Sequence, residues 1–149
     1  VDYIANEAIE CAKSAVQYGE IPVAAIIFNP KTKEIIAKAH NQIESSKDPT
    51  AHAEIIAIKK ACHIIQNKYL DEFALFVTLE PCPMCMQAIC FSHVKSLYFG
   101  AYDYKRGAIS THSGILSAKM NNHIPEIFGG FYEETCSTIL TDFFRQIRL

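Results

Sequence analysis

The sequence predicts an α/β fold, a sheet flanked by helices, and three observations carry that prediction. Strand-length runs at 22–28, 34–40, 73–79 and 96–100 are separated by stretches whose apolar residues recur at helical spacing. The runs 73–79 and 96–100 are bridged by one such helical stretch, the β-α-β order of a parallel pair with its usual right-handed crossover. At 149 residues, half of them apolar, the chain has one domain's length and enough material for a sizeable core.

Each element follows in order. Residues 2–18 carry Ile4, Ala8, Cys11, Ala12 and Ala15 at helical spacing, and Gly19 ends them. Pro22 to Phe28 is continuously apolar, as a strand buried on both faces would be. Asn29-Pro30-Lys31-Thr32-Lys33 then turns the chain into Glu34–His40, an antiparallel partner nearer the sheet edge. After a loop over 41–50, Asp48-Pro49-Thr50 predicts a helix start, with Ile55, Ile58, Cys62 and Ile65 along the buried face. Phe73–Leu79 predicts a second buried strand and Ser96–Gly100 a third. Between them Pro81 suits the first helical position, which needs no backbone donor, and the helix runs to about Ser92. Residues 101–123, rich in Gly, Ser and His and without periodicity, read as a functional loop. A last helix over about 133–148 opens on Glu133-Glu134 and closes on Arg145 and Arg148, which suits its dipole; Cys136, Leu140, Phe143 and Ile147 form its apolar stripe.

Composition narrows the function. Fourteen basic against 16 acidic residues give a net charge of −2, a poor global match to a nucleic-acid binder, so any RNA contact rests on a local patch. No run is long enough to cross a membrane, and Val1-Asp2-Tyr3-Ile4 has no basic-then-apolar signal pattern, so a cytoplasmic protein without a membrane partner is expected. Six cysteines without such a signal read as reduced thiols, with Cys11, Cys62, Cys90 and Cys136 as small buried hydrophobes.

The chemistry lies in Thr78-Leu79-Glu80-Pro81-Cys82-Pro83-Met84-Cys85, read with His52-Ala53-Glu54 upstream. Cys82 and Cys85 are three apart in a first helical turn, so both sulfurs reach one ion, and the helix N-terminus favours their thiolates. Thiolate ligands point to zinc, which takes four ligands, and His52 is the best third one. Glu54 follows His52 by two residues, about 200° around a regular helix, so it suits a place beside the metal better than one on it. Two readings stand: an open catalytic site with one position left to water, or a closed zinc staple with Cys90, His93 or Cys62 as fourth ligand. Glu80, the other acid nearby, reads first as a capping or turn-fixing group.

With H-x-E and P-C-x-x-C together, the chain resembles the zinc-dependent nucleoside and nucleobase deaminases, whose known signature this is, and among them the tRNA-specific adenosine deaminases. The likeness runs from the first helix to Arg145. It is sharpest at residues 48–54, 77–82, Phe99-Gly100-Ala101 with Asp103 and Gly107, and 141–145. The resemblance implies a three-layer α-β-α, cytidine-deaminase-like fold over residues 1–149, with a central mixed five-stranded sheet whose last strand lies near 124–129. It also implies one zinc ion per chain, held by His52, Cys82 and Cys85, and a homodimer. The Asn41 side chain, the Ala53 N–H and the Pro81 carbonyl would hold the nucleoside. The chain differs from the family pattern at Ala24, where glycine is usual, and in the tyrosines Tyr102 and Tyr104 around Asp103.

The implied reaction is hydrolysis of the wobble adenosine of a tRNA anticodon stem-loop to inosine. Zinc lowers the pKa of a water, and Glu54 relays its proton to the ring nitrogen and the leaving amine. Candidate RNA contacts are Asp103, Lys105, Arg106, Lys119, Phe144, Arg145 and Arg148, each of which also reads as a solvated loop or helix end. Two rivals remain: a salvage deaminase of free cytosine, guanine or nucleosides, and a zinc-stapled RNA-binding subunit without catalysis.

Overall fold

The computed structural model describes residues 1–119 and 121–147; Arg148 lies outside them. Strands β1 (Ala24–Phe28), β2 (Ile35–His40), β3 (Ala74–Leu79), β4 (Ser96–Ala101) and β5 (Glu126–Phe128) form, among the described residues, a five-stranded sheet in the order β2-β1-β3-β4-β5. β1 is antiparallel to β2 and to β3, whereas β3, β4 and β5 run parallel. β2 is an edge strand, as its mixed burial requires, and β1 is buried throughout.

Side chains alternate along the central strands and divide the core between two faces. Ile26, Phe28, Ala74 and Phe76 pack against Ile4, Ala5 and Ala8 of helix α1 (Asp2–Ala15). Ala25, Ile27, Leu75, Val77, Leu97 and Phe99 face the opposite layer, formed by α3 (Ala53–Ile65) and α4 (Pro83–Ser92) with a one-turn α2 (Ile43–Ser46) before them. Helix α5 (Glu133–Ile147) packs on β4, where Gly100 is obligatory: a Cβ there would stand 2.6 Å from Cys136 Sγ. This is the three-layer α-β-α arrangement with a mixed five-stranded sheet.

Five local expectations need correction. Asp48-Pro49-Thr50 is a turn, closed by Asp48 Oδ1 accepting from the Thr50 N–H and hydroxyl, and α3 starts only after His52, its N-cap residue. Likewise Cys82 is the N-cap of α4, and the proline at the first helical position is Pro83 instead of Pro81. The deepest face of α3 is Ala53, Ala57 and Ala61, with Ile58, Cys62 and Ile65 half-buried around it. Small side chains meet Ala25, Ala37 and Ala39 of the sheet there, which draws the helix close and leaves no room for isoleucine beneath it. On α5, Cys136 and Phe143 are buried but Ile147 is 63% exposed, because the stripe leaves the sheet before the last turn. Cys90 and Cys136 are buried in the core, whereas Cys11 and Cys62 are only partly covered.

The pairing register decides where the chemistry sits. Ala24 opposes His40, and Leu79 opposes Ala101. The carboxyl ends of β2, β3 and β4 therefore share one edge of the sheet with the amino end of β1. Asn41, Glu80 and Tyr102 emerge there, and the first turns of α3 and α4 face it, the place where open α/β sheets bind ligands.

Candidate metal centre and active site

Two helix starts make the centre. His52 and Cys82 both have extended backbones (ψ 152 and 169) at N-cap positions, and neither makes a side-chain cap hydrogen bond. Their donor atoms are turned on each other and on Cys85, one turn into α4. His52 Nδ1 lies 3.4 Å from Cys85 Sγ and 3.8 Å from Cys82 Sγ, and the three donor atoms fall within 4.8 Å of one another. Both helix N-termini direct partial positive charge at this point.

The electrostatics match a ligand set awaiting a cation. Cys82 is pulled down to about 4, first by the Cys85 thiol that donates to it and then by His52, against the opposing effect of burial. Cys85 is held high by that donation and by burial. A cation bound by both sulfurs would displace the Cys85 proton, since the thiolate is the ligand form. Two sulfurs and one imidazole are a soft donor set that fits zinc, with three protein ligands of the four it takes. Among the described residues no fourth side chain joins the cluster. The alternatives are otherwise engaged: Cys90 and Cys62 pack with the core, and His93 is stacked between Tyr69 and His123 at 4.2 and 5.0 Å.

Glu54 is buried, 4% exposed, beside the cluster and outside it. Burial pushes its carboxyl up to about 7, and the charge of Cys82 acts in the same sense, while its backbone N–H and His52 oppose. A cleft of about 820 Å³ opens on this group. Asn41, His52, Glu54, Cys82, Asp103, Lys105 and Phe144 all line it, as do Tyr102, Tyr104 and Arg106.

The other predicted site residues lie in the second layer or outside the cleft. Ala53 is buried, and its N–H donates to Asn41 Oδ1 at 2.8 Å. That leaves Asn41 Nδ2, without a partner among the described residues, as the donor facing the cleft. The Pro81 carbonyl accepts the Ala108 N–H at 2.9 Å and has one lone pair left. Arg145 is exposed on α5 and does not line the cleft, and Lys119 is an exposed loop residue away from it. Asp103 has a local task as well, its Oδ1 accepting the N–H groups of Lys105 and Arg106.

Glu80 has the turn-fixing role expected of it, at full scale. Its buried carboxylate accepts the N–H groups of Asp103, Ile109 and Ser110 and the Ser110 hydroxyl, at 2.7 to 3.0 Å. Glu20 does the same for α2, accepting from Glu44 and Ser45 at 3.1 and 2.7 Å, and nothing local in the sequence announced it. The apolar wall of Ile21, Val23, Ile43 and Leu140 was also missed, since it gathers residues from segments that read only as core or loop.

Fold and cluster together define the class, a deaminase built around a His/Cys/Cys group placed to bind a metal. A family model described as MafB19-like deaminase matches residues 2–148. The tRNA-specific adenosine deaminase of Aquifex aeolicus is 43% identical over 148 residues, 99% of this chain and 95% of that protein. That of Rickettsia bellii is 40% identical over 143 residues, covering 96% and 99%. A solved structure from work on A-to-I editing by tRNA:A34 deaminases at the wobble position superposes with a TM-score of 0.89 at 34% identity, covering 94% of this chain and 100% of that one. The chain belongs to the MafB19-like deaminase family, among its tRNA-specific adenosine deaminases.

Proposed function

We propose that this protein hydrolyses the wobble adenosine of a tRNA anticodon to inosine, releasing ammonia, with residues 1–149 acting as one deaminase domain. The observation that carries the reading is Glu54, a buried carboxyl beside three metal donors at the floor of a cleft that a nucleoside can enter. The relatives of Aquifex aeolicus and Rickettsia bellii, 43% and 40% identical over nearly the whole chain and named tRNA-specific adenosine deaminases, support this substrate.

His52, Cys82 and Cys85 are the ligands. Zinc held there would supply the chemistry of a water of lowered pKa, a nucleophile near neutral pH. Glu54 accepts the proton of that water on a carboxylate oxygen, gives it to the ring nitrogen beside the attacked carbon, and assists protonation of the departing amine. Burial raises the Glu54 carboxyl, which favours returning the proton it takes, and a cation on the three donors would oppose that rise. Asn41 Nδ2 offers a donor to the nucleoside and the Pro81 carbonyl a free lone pair to the base. The Ala53 N–H reaches the base only by releasing Asn41.

Asp103, Lys105 and Phe144 at the cleft, and Arg145 beyond it, are the RNA contacts of this reading. The chain acts as a homodimer in the cytoplasm. The dimer is supported by the outer face of α4, a helix without a charged residue whose Met84 and Phe91 are 38% and 68% exposed. No helix among the described residues is long and apolar enough to cross a membrane.

The test offers the purified protein an anticodon stem-loop with adenosine at the wobble position, and in parallel free guanine, cytosine and adenosine. Inosine and ammonia from the stem-loop alone are expected. Turnover of a free base in preference to the RNA overturns the substrate, and no ammonia from any of them overturns the enzyme.

A further inference from the structure

The rim of the cleft carries an aromatic face that the reaction at its floor does not use. Tyr104 is 74% exposed, yet its ring is held, parallel within 14° to Tyr102 at 5.9 Å between centroids. Tyr102 in turn stands edge-on to the buried Phe99, at 5.0 Å and 85°. The backbone beneath is equally restrained. Asp103 Oδ1 accepts from Lys105 and Arg106, the Asp103 carbonyl from the Gly107 N–H at 2.8 Å, and the Tyr104 carbonyl from the Thr111 hydroxyl at 2.9 Å.

We propose that Tyr104 is a stacking platform for a base flanking the reacting nucleotide, so that the 101–107 loop binds RNA through an aromatic face as well as through charge. The inference rests on an RNA substrate, as proposed above. To bring its reacting base into the cleft a single strand must splay, which leaves a neighbouring base unstacked at the rim. The Tyr104 ring lies parallel to and offset from Tyr102, and its exposure leaves ring face open to a base. Lys105 and Arg106 follow directly and line the same cleft, within reach of the phosphates on either side of that base.

The plainer role, a tyrosine covering its own loop, does not fit a ring so exposed. Hydrophobic cover buries a ring, and here the parallel contact with Tyr102, itself braced by Phe99, orients the ring while leaving it in solvent. Fixing it in advance removes an ordering cost that would otherwise fall on binding. Phe144, the other aromatic at the cleft, is 36% exposed and packed edge-on to Phe143, so it presents less free face.

The experiment measures kcat and KM for the wild-type protein, Tyr104→Ala and Tyr104→Phe on the anticodon stem-loop, and on the same RNA made abasic immediately 5′ or 3′ of the reacting adenosine. Tyr104→Ala is expected to raise KM about tenfold, the scale of one base–aromatic stack, with little change in kcat. Tyr104→Phe keeps the ring and rescues the loss. One of the two abasic RNAs should cost the wild type a similar factor and cost Tyr104→Ala nothing further. An unchanged KM in Tyr104→Ala, or abasic penalties that add fully to the variant's, overturns the platform while leaving the RNA reaction standing. A wild-type protein that leaves the stem-loop untouched overturns the reaction itself, and the platform with it.

Discussion

Gly107 lies so close to Glu80 that a Cβ on it would stand 2.2 Å from the carboxyl carbon. The absent side chain is what lets the 101–110 loop fold over the carboxylate and direct three N–H groups at it. The same loop carries Tyr102, Tyr104, Lys105 and Arg106 to the rim of the cleft, so a buried contact beneath the loop governs the shape of that rim.

Glu80→Ala strands three backbone donors and a hydroxyl, and is expected to cost on the order of 3 kcal/mol. Gly107→Ala clashes with the carboxyl and is also destabilising. Because the two closest of the new Cβ contacts are with the carboxyl, the double variant should be less destabilised than the sum of the two, while the 2.5 Å approach to the Asp103 carbonyl keeps part of the cost. Urea unfolding of the four proteins checks this, and strict additivity would refute the coupling.

Glu54→Ala is expected to reduce turnover of the stem-loop at least a hundredfold, the range of general acid–base catalysis, while metal content stays near one ion per chain. Elemental analysis alongside the inosine assay separates proton transfer from metal binding. Retained turnover refutes the relay.

Removing the metal with a chelator should abolish activity and lower the unfolding temperature, since ligand binding to the folded state alone stabilises it. Zinc should restore both. Cys85→Ser or His52→Ala should lose the ion and both effects together. A chelated protein that still makes inosine refutes the metal centre.

The exposed apolar face of α4 predicts a homodimer that Phe91→Glu weakens. Light scattering should give twice the monomer mass for the wild type, with the variant shifted toward one. A monomeric wild type refutes the dimer.

Burial works to raise the Glu20 carboxyl, but the N–H groups of Ser45 and Glu44 outweigh it and leave it below the ordinary glutamate value of 4.5. A carboxyl lowered in the folded state contributes stability that is fully present above 4.5 and lost as the pH falls through the folded value. Glu20→Gln should therefore weaken the protein at neutral pH and flatten the acid side of its stability curve. Urea midpoints for the two proteins between pH 7 and 3 measure the difference, and parallel curves refute the assignment.

Much of this protein was settled by its sequence alone, because the deciding relations are between near neighbours. Cys82 and Cys85 share a helical turn, His52 and Glu54 flank a helix start, and the alternation of apolar residues set strands and helices in order. Only the tertiary structure decided the relations between distant segments. It chose the alanine face of α3 over its isoleucines because the sheet opposite is lined with alanine, and it put His52 and Cys82 at N-caps from which their donor atoms converge with Cys85. It engaged the Ala53 N–H with Asn41, and it set Tyr104 beside Tyr102, itself edge-on to Phe99, at the mouth of the cleft. Residue spacing encodes what a single helix or strand can bring together. The register of Ala24 on His40 and of Leu79 on Ala101, which gathers four strand ends at one edge, depends on packing across the whole sheet.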